Sequence, residues 1–203
     1  MSYDKKIVDF LVYKKRKQQM SITTNRKKEI EEQVNKILQG EKFKKNPQVD
    51  IVALVEKENF VVKAERMEIN TTGLLYAGDD ERVITVNKEF KNPDNEENVV
   101  FKKSRFITAH EYGHFILHKE QLGTPIYAHR DTYNRTSTIE LEADYFARSI
   151  LMPLEKFRLF HEAAKQMCNE EDYEEFVPYA LSVVFGVTRN KVLKRMEDLS
   201  ELN

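Results

Sequence analysis

The chain has 203 residues, 33 Lys+Arg against 34 Asp+Glu for a formal net charge of -1, and one cysteine, Cys168. That length provides one domain with a real core and room for a small appendage. The composition excludes an internal disulfide. No stretch approaches the roughly 18 apolar residues of a membrane span, and no apolar region follows Met1–Lys6 as a signal peptide requires, so a cytoplasmic protein is expected.

Residues 4–20 read as a first helix, with Ile7, Val8, Phe10 and Leu11 as its apolar stripe. A second is expected from about Thr24 to Leu38, with Ile30, Val34, Ile37 and Leu38 at helical spacing and Gly40 ending it. Charge is uneven here: residues 1–48 hold 13 Lys/Arg against 6 Asp/Glu, densest at Lys14-Lys15-Arg16-Lys17. No aromatic platform is interleaved, so a solvated helix face is favoured over a nucleic-acid contact. Asn46-Pro47 reads as an N-cap followed by proline at the first helical position. Ile51, Val52 and Val55 form the buried side of that short helix, and Asn59 terminates it.

The period then changes. Phe60–Ala64 is β-rich, and Leu74–Ala77 and Val83–Val86 flank Gly78-Asp79-Asp80-Glu81 as a hairpin. A small, mostly antiparallel sheet is therefore expected ahead of a long helix that Asn98 caps and that carries His110 to His118. Residues 119–136 lack periodicity and read as a loop. A helix from Ser137 stops at Leu151-Met152-Pro153, and another follows with Phe157, Phe160 and Ala164 on one side. Residues 179–188, then a helix from Arg189, read as helix–turn–helix, with a packing role favoured over DNA contact. The expected division is a helical extension over residues 1–46, a core over 47–168 and a C-terminal helical segment over 169–203. The fold class is α+β, mainly helical.

Chemistry concentrates in Ile107–His118, where His110, Glu111 and His114 spell H-E-x-x-H. On a helix, residues four apart share a face, so both imidazoles can address one ion. Glu111 can then reach a water beside that ion. Zinc lowers the pKa of such a water from about 15.7 to about 7, and a carboxylate can relay its proton to a leaving amine.

A third ligand must come from another element. His118 lies eight residues after His110, a rise of about 12 Å, too far to share an ion whose ligands sit about 2 Å away. The metzincin pattern is excluded too, because Leu117 stands at its glycine position and Glu120 at its third histidine. Glu140 with Asp144 four residues on is the better candidate. The pair resembles the thermolysin-like zinc peptidases, in which a ligating glutamate is followed by an aspartate that bonds a ligating histidine. Two rival readings stand beside it. Ser137-x-x-Glu140 is also a capping box, and Glu142 is a second carboxylate about 200° round the helix. Glu140 is preferred because only it has Asp144 on its own face. Tyr127, His129, Arg130 and Tyr133 are candidates for polarising a scissile carbonyl, with nothing to choose among them.

Together these pieces resemble the ImmA/IrrE-type metallopeptidases, from about residue 47 to 153 and more weakly through the tail. Thr72–Tyr76 followed by Ile84–Asn87 resembles that family's glycine-containing hairpin ending in asparagine. Arg105–His114 with His118 resembles its metal helix, and Glu140–Ala147 with Leu151-Met152-Pro153 its second site helix. The resemblance implies a zincin-like fold, His110, His114 and Glu140 as metal ligands, Glu111 as base and Asp144 behind a ligand, although asparagine is frequent at that last position. It also implies a protein substrate, a helix–turn–helix repressor whose cleavage releases transcription in a prophage, mobile element or stress response. Zinc is the expected metal, and manganese, iron or cobalt also accept this ligand set. The alternatives are a non-catalytic protein that sequesters a repressor and a DNA-binding regulator.

Overall fold

Every residue from Arg105 to His114 is buried, although this stretch holds five charged or ionisable side chains. A helix enclosed on all sides has no single apolar stripe, and the remaining elements are arranged to cover it. The computed structural model describes residues 21–39, 47–68, 70–88, 97–123, 126–131 and 137–202. The expected helix over 4–20, the Lys14–Lys17 cluster, Gly40, Asn46 and Tyr133 lie outside them.

In chain order the elements are α1 (Thr24–Ile37), α2 (Ile51–Glu56), β1 (Val61–Glu65), β2 (Thr71–Ala77), β3 (Arg82–Asn87), α3 (Glu97–Leu122), β4 (Ile126–Asp131), α4 (Thr138–Leu151), α5 (Leu154–Gln166), α6 (Tyr173–Phe185) and α7 (Arg189–Leu202). The fold is α+β and mainly helical, as the periodicity implies. Four strands form one sheet in the order β1-β3-β2-β4. The hairpin pairs β2 with β3 antiparallel, with Ala77 opposite Arg82, and β4 adds antiparallel to β2. β1 runs parallel to β3, with Val61 opposite Val83, so the sheet is mixed. The alternation of Thr71, Gly73, Leu75 and Ala77 inward along β2 is the period-2 signature of a sheet with one face on the core. α3 packs against β2, β3 and β4 as well as against α4.

Several boundaries differ from the sequence expectations. The short helix begins at Ile51, where the Asp50 side chain accepts from the Ala53 N–H at 3.1 Å, so Asp50 rather than Asn46 is its cap. Pro47 precedes the helix. Its buried side is Ile51, Leu54 and Val55, while Val52 is exposed. Asn59 does end the segment, in a left-handed conformation at φ 62°. α3 starts at Glu97, which places Asn98 inside the helix and not at its cap. The expected loop over 119–136 is shorter: α3 runs on to Leu122, and β4 occupies Ile126–Asp131.

Charged side chains join α1 to the end of the chain. Glu31 and Arg195 form a bidentate pair at 2.6 and 3.0 Å, with Arg195 fully buried. Glu31 also accepts from Tyr145 at 2.9 Å and Ser149 at 2.7 Å, and Arg195 donates to the Met152 carbonyl at 3.1 Å. Burial alone would raise the Glu31 carboxyl, but Arg195 and the two hydroxyls outweigh it and hold it below the ordinary range. Removing one partner of such a pair strands a buried charge. Glu31→Ala is therefore expected to cost about 3–5 kcal/mol in urea unfolding at neutral pH. A carboxylate with a depressed folded pKa stabilises above its unfolded value. The cost of the substitution should accordingly shrink as pH falls below about 4.3 toward the folded value. A difference that grows on acidification would contradict this account.

Candidate metal centre

Two close approaches assemble the site. Gly113 sits where α3 meets α4: a Cβ there would lie 3.0 Å from Phe146 Cδ1 and 3.3 Å from Ala143 Cα. Lacking one, α3 comes close enough for His110 and His114 to meet Glu140 in the first turn of α4. Gly73 makes the second approach, from β2. A Cβ on it would fall 2.7 Å from Glu111 Oε1 and also collide with Ile107 Cγ2. The strand backbone thus lies directly against the Glu111 carboxylate. Asn87 fixes the run into that strand: its side-chain amide donates to the Thr71 carbonyl at 2.7 Å and the Glu68 carbonyl at 3.3 Å, and its oxygen accepts from the Met67 N–H at 3.3 Å.

The structure brings His110, His114 and Glu140 together as a group that could hold a metal ion. His110 Nε2 and His114 Nε2 are 3.1 Å apart. Glu140 Oε2 lies 3.2 Å from the first and Oε1 lies 3.1 Å from the second. A tetrahedral ion with arms of about 2.0 Å separates its ligand atoms by about 3.3 Å, close to the spacing of the two Nε2 atoms and to the distance from each to its nearer Glu140 oxygen. Both imidazoles are almost wholly buried. Burial alone would raise the Glu140 carboxyl, but the two imidazoles beside it outweigh that and bring it down to about 2, so it is ionised at neutral pH.

Groups behind the imidazoles decide where their protons sit. His110 Nδ1 is 2.9 Å from Asp144 Oδ1. The carboxylate can only accept, so Nδ1 carries the proton and Nε2 keeps its lone pair. Asp144 is itself steadied by Lys191 of α7, 3.7 Å from Oδ2. His114 Nδ1 is 3.1 Å from His118 Nδ1, and His118 Nε2 is 3.2 Å from Glu142 Oε2. Burial, then the neighbouring His114, pushes His118 down to about 4, against the pull of Glu142. It is neutral at pH 7. Glu142 takes the proton on His118 Nε2, which leaves Nδ1 bare to accept from His114 Nδ1–H. The inner nitrogen of His114 is again a lone pair. Two lone pairs and a carboxylate then converge, all acceptors, which is the donor chemistry a divalent cation requires.

The two rival carboxylates of α4 part company, Glu140 to the paired Nε2 atoms and Glu142 to His118 and Arg26. The cap reading of Ser137 holds as well: its hydroxyl accepts from the Glu140 N–H at 3.4 Å. That contact uses the backbone of Glu140 and leaves its carboxylate to the histidines. His118 lies behind a ligand. Its spacing, four residues after His114, was the available signal. The backbones of Tyr127, His129 and Arg130 belong to β4, opposite Tyr76, Leu74 and Gly73. An open groove of about 610 Å³ adjoins the site between β2, α3 and α7, lined by Thr72, Lys103, Phe106, Ile107, Lys191 and Lys194.

A family profile described as the IrrE N-terminal-like domain, Peptidase M78, matches residues 55–197. No curated protein matches the chain significantly.

The division between the two carboxylates is directly measurable. After dialysis against a moderate chelator, Glu140→Ala should retain no stoichiometric zinc, whereas Glu142→Ala should still take up one equivalent with reduced affinity. The reverse pattern would exchange their roles.

Proposed function

The chain belongs to the IrrE N-terminal-like domain family, Peptidase M78, and on that premise we propose that it is a zinc-dependent endopeptidase that cuts a helix–turn–helix repressor in the cytoplasm and so relieves repression. Its function is of the metallopeptidase type. The observation that supports metal dependence is the convergence of His110, His114 and Glu140, two acceptor nitrogens and a carboxylate within 3.2 Å of one another. Among the described residues the cluster supplies three ligand-bearing side chains, the number a catalytic zinc site provides, whereas structural sites enclose their ion with four.

A zinc ion held there would supply a Lewis acid for the attacked carbonyl and for the attacking water. The remaining chemistry falls to this chain. Glu111 follows the first ligand on α3, and its carboxylate is buried beneath the backbone of Gly73. It accepts the proton of the attacking water and returns it to the departing amine as the peptide bond breaks. Asp144 and His118 hold the two imidazoles against rotation as charge develops. The lysine-bearing groove beside Thr72 and Ile107 gives a peptide segment a place to lie.

Glu111→Gln separates binding from chemistry. In co-expression with a helix–turn–helix repressor encoded beside the gene, the wild type should yield repressor fragments detectable by mass spectrometry. The variant should keep its metal and cleave about 10²- to 10⁴-fold more slowly. Cleavage at the wild-type rate would remove Glu111 from the base role. An intact, stable complex of wild-type protein and repressor would favour sequestration over cleavage.

A further inference from the structure

α1 precedes the region matched by the family profile, which begins at residue 55. Arg26, in its first turn, nevertheless reaches the helix that carries Glu140. The guanidinium donates through Nε at 3.0 Å and Nη2 at 2.8 Å to one oxygen, Glu142 Oε2. Its remaining arm, Nη1, bonds Glu29 Oε2 at 2.9 Å. That same Glu142 oxygen accepts from His118 Nε2 at 3.2 Å, and His118 Nδ1 meets His114 Nδ1 at 3.1 Å. An unbroken path of hydrogen bonds therefore runs from α1 to an imidazole of the metal centre.

Exposure falls along this path, from 28% for the Arg26 side chain to 12% for Glu142 and 0% for His118. An ion pair exposed at one end adds little to folding stability. Its directional effect is larger. With two donors on one oxygen, Arg26 fixes where Glu142 points. α1 does not depend on this contact for its place, since Glu31 binds Arg195 and Lys27 binds Asp198 and Glu201.

We propose that Arg26 is a positioning residue of the metal centre, acting through Glu142 and His118 to orient the His114 ring and present its inner lone pair, so that metal affinity is coupled to the docking of α1. The proposal rests on the reading of His110, His114 and Glu140 as ligands. Arg26 touches neither ion nor substrate. A partner that pulled α1 from α4 would loosen the metal without touching its ligands.

The test uses the full chain, stripped of metal and titrated with zinc against a chromophoric chelator. Arg26→Ala should weaken zinc binding about 10-fold, the lower end of the range for loss of the group directly behind a ligating histidine, because Arg26 acts through two further links. Arg26→Lys should recover part of it. Glu29→Ala, which removes only the outer contact, should stay within about twofold. A merely structural role is separated by a cycle with His118→Phe: along a path, Arg26→Ala causes no further loss once His118 is gone, whereas general loosening of the fold costs the same in both backgrounds. Wild-type affinity in Arg26→Ala, or additivity in the cycle, overturns the inference while leaving the metal centre standing. A wild-type chain that binds no zinc overturns the metal reading and the inference with it.

Discussion

Two imidazole nitrogens and a carboxylate face one another across about 3 Å in the protein interior, and none has a proton to offer when the groups behind them are satisfied. Burying acceptors against acceptors is costly unless a cation joins them. Much of the architecture serves to hold that arrangement in place. α3 is enclosed from Arg105 to His114, so its histidines have little freedom to swing away. α4 brings Glu140 forward and sets Asp144 behind His110. The sheet closes over Glu111 through a strand that has no side chain where it crosses the carboxylate.

The site was legible in the sequence wherever its geometry is local. H-E-x-x-H and the four-residue step from Glu140 to Asp144 are properties of a single helix turn, and spacing alone puts each pair on one face. The choice between Glu140 and Glu142 also followed from spacing, since only Glu140 shares its face with Asp144. Non-local relations were not readable. Nothing in residues 119–136 announces that Ile126–Asp131 pairs with β2, because an edge strand needs only its partner's backbone and imposes little pattern of its own. The start of α2 was misplaced for a related reason: Asn46-Pro47 carries the chemistry of a helix start, yet Asp50 caps the helix that forms. The part played by His118 required knowing that Glu142 and Arg26, 24 residues after it and 92 before it, stand beside it.

The ion pairs of this protein have unequal consequences. Arg158 with Glu155 and Lys194 with Glu197 lie on exposed helix faces, where solvent screening leaves each worth a few tenths of a kcal/mol. The Glu31–Arg195 pair is buried and hydrogen-bonded at nearly every polar atom. Arg105 is a third kind, a desolvated cation whose donors go to the Phe185 and Gly186 carbonyls at the end of α6. A cation at a helix C-terminus complements the partial negative charge there. It also ties α3 to the turn before α7, whose Lys191 steadies Asp144. Groups far apart in sequence thus converge on the two imidazoles from opposite ends of the chain.

The joining of α1 to α7 through Glu31–Arg195 and Lys27–Glu201 carries a consequence in time. Those contacts span more than 160 residues, among the longest closures available to this chain and hence among the last to form. During synthesis, α1 must wait in the emerging polypeptide until residue 201 has left the ribosome. Until then the innermost groups lack their outer support. Glu31 and Lys27 are therefore made long before the groups that neutralise them.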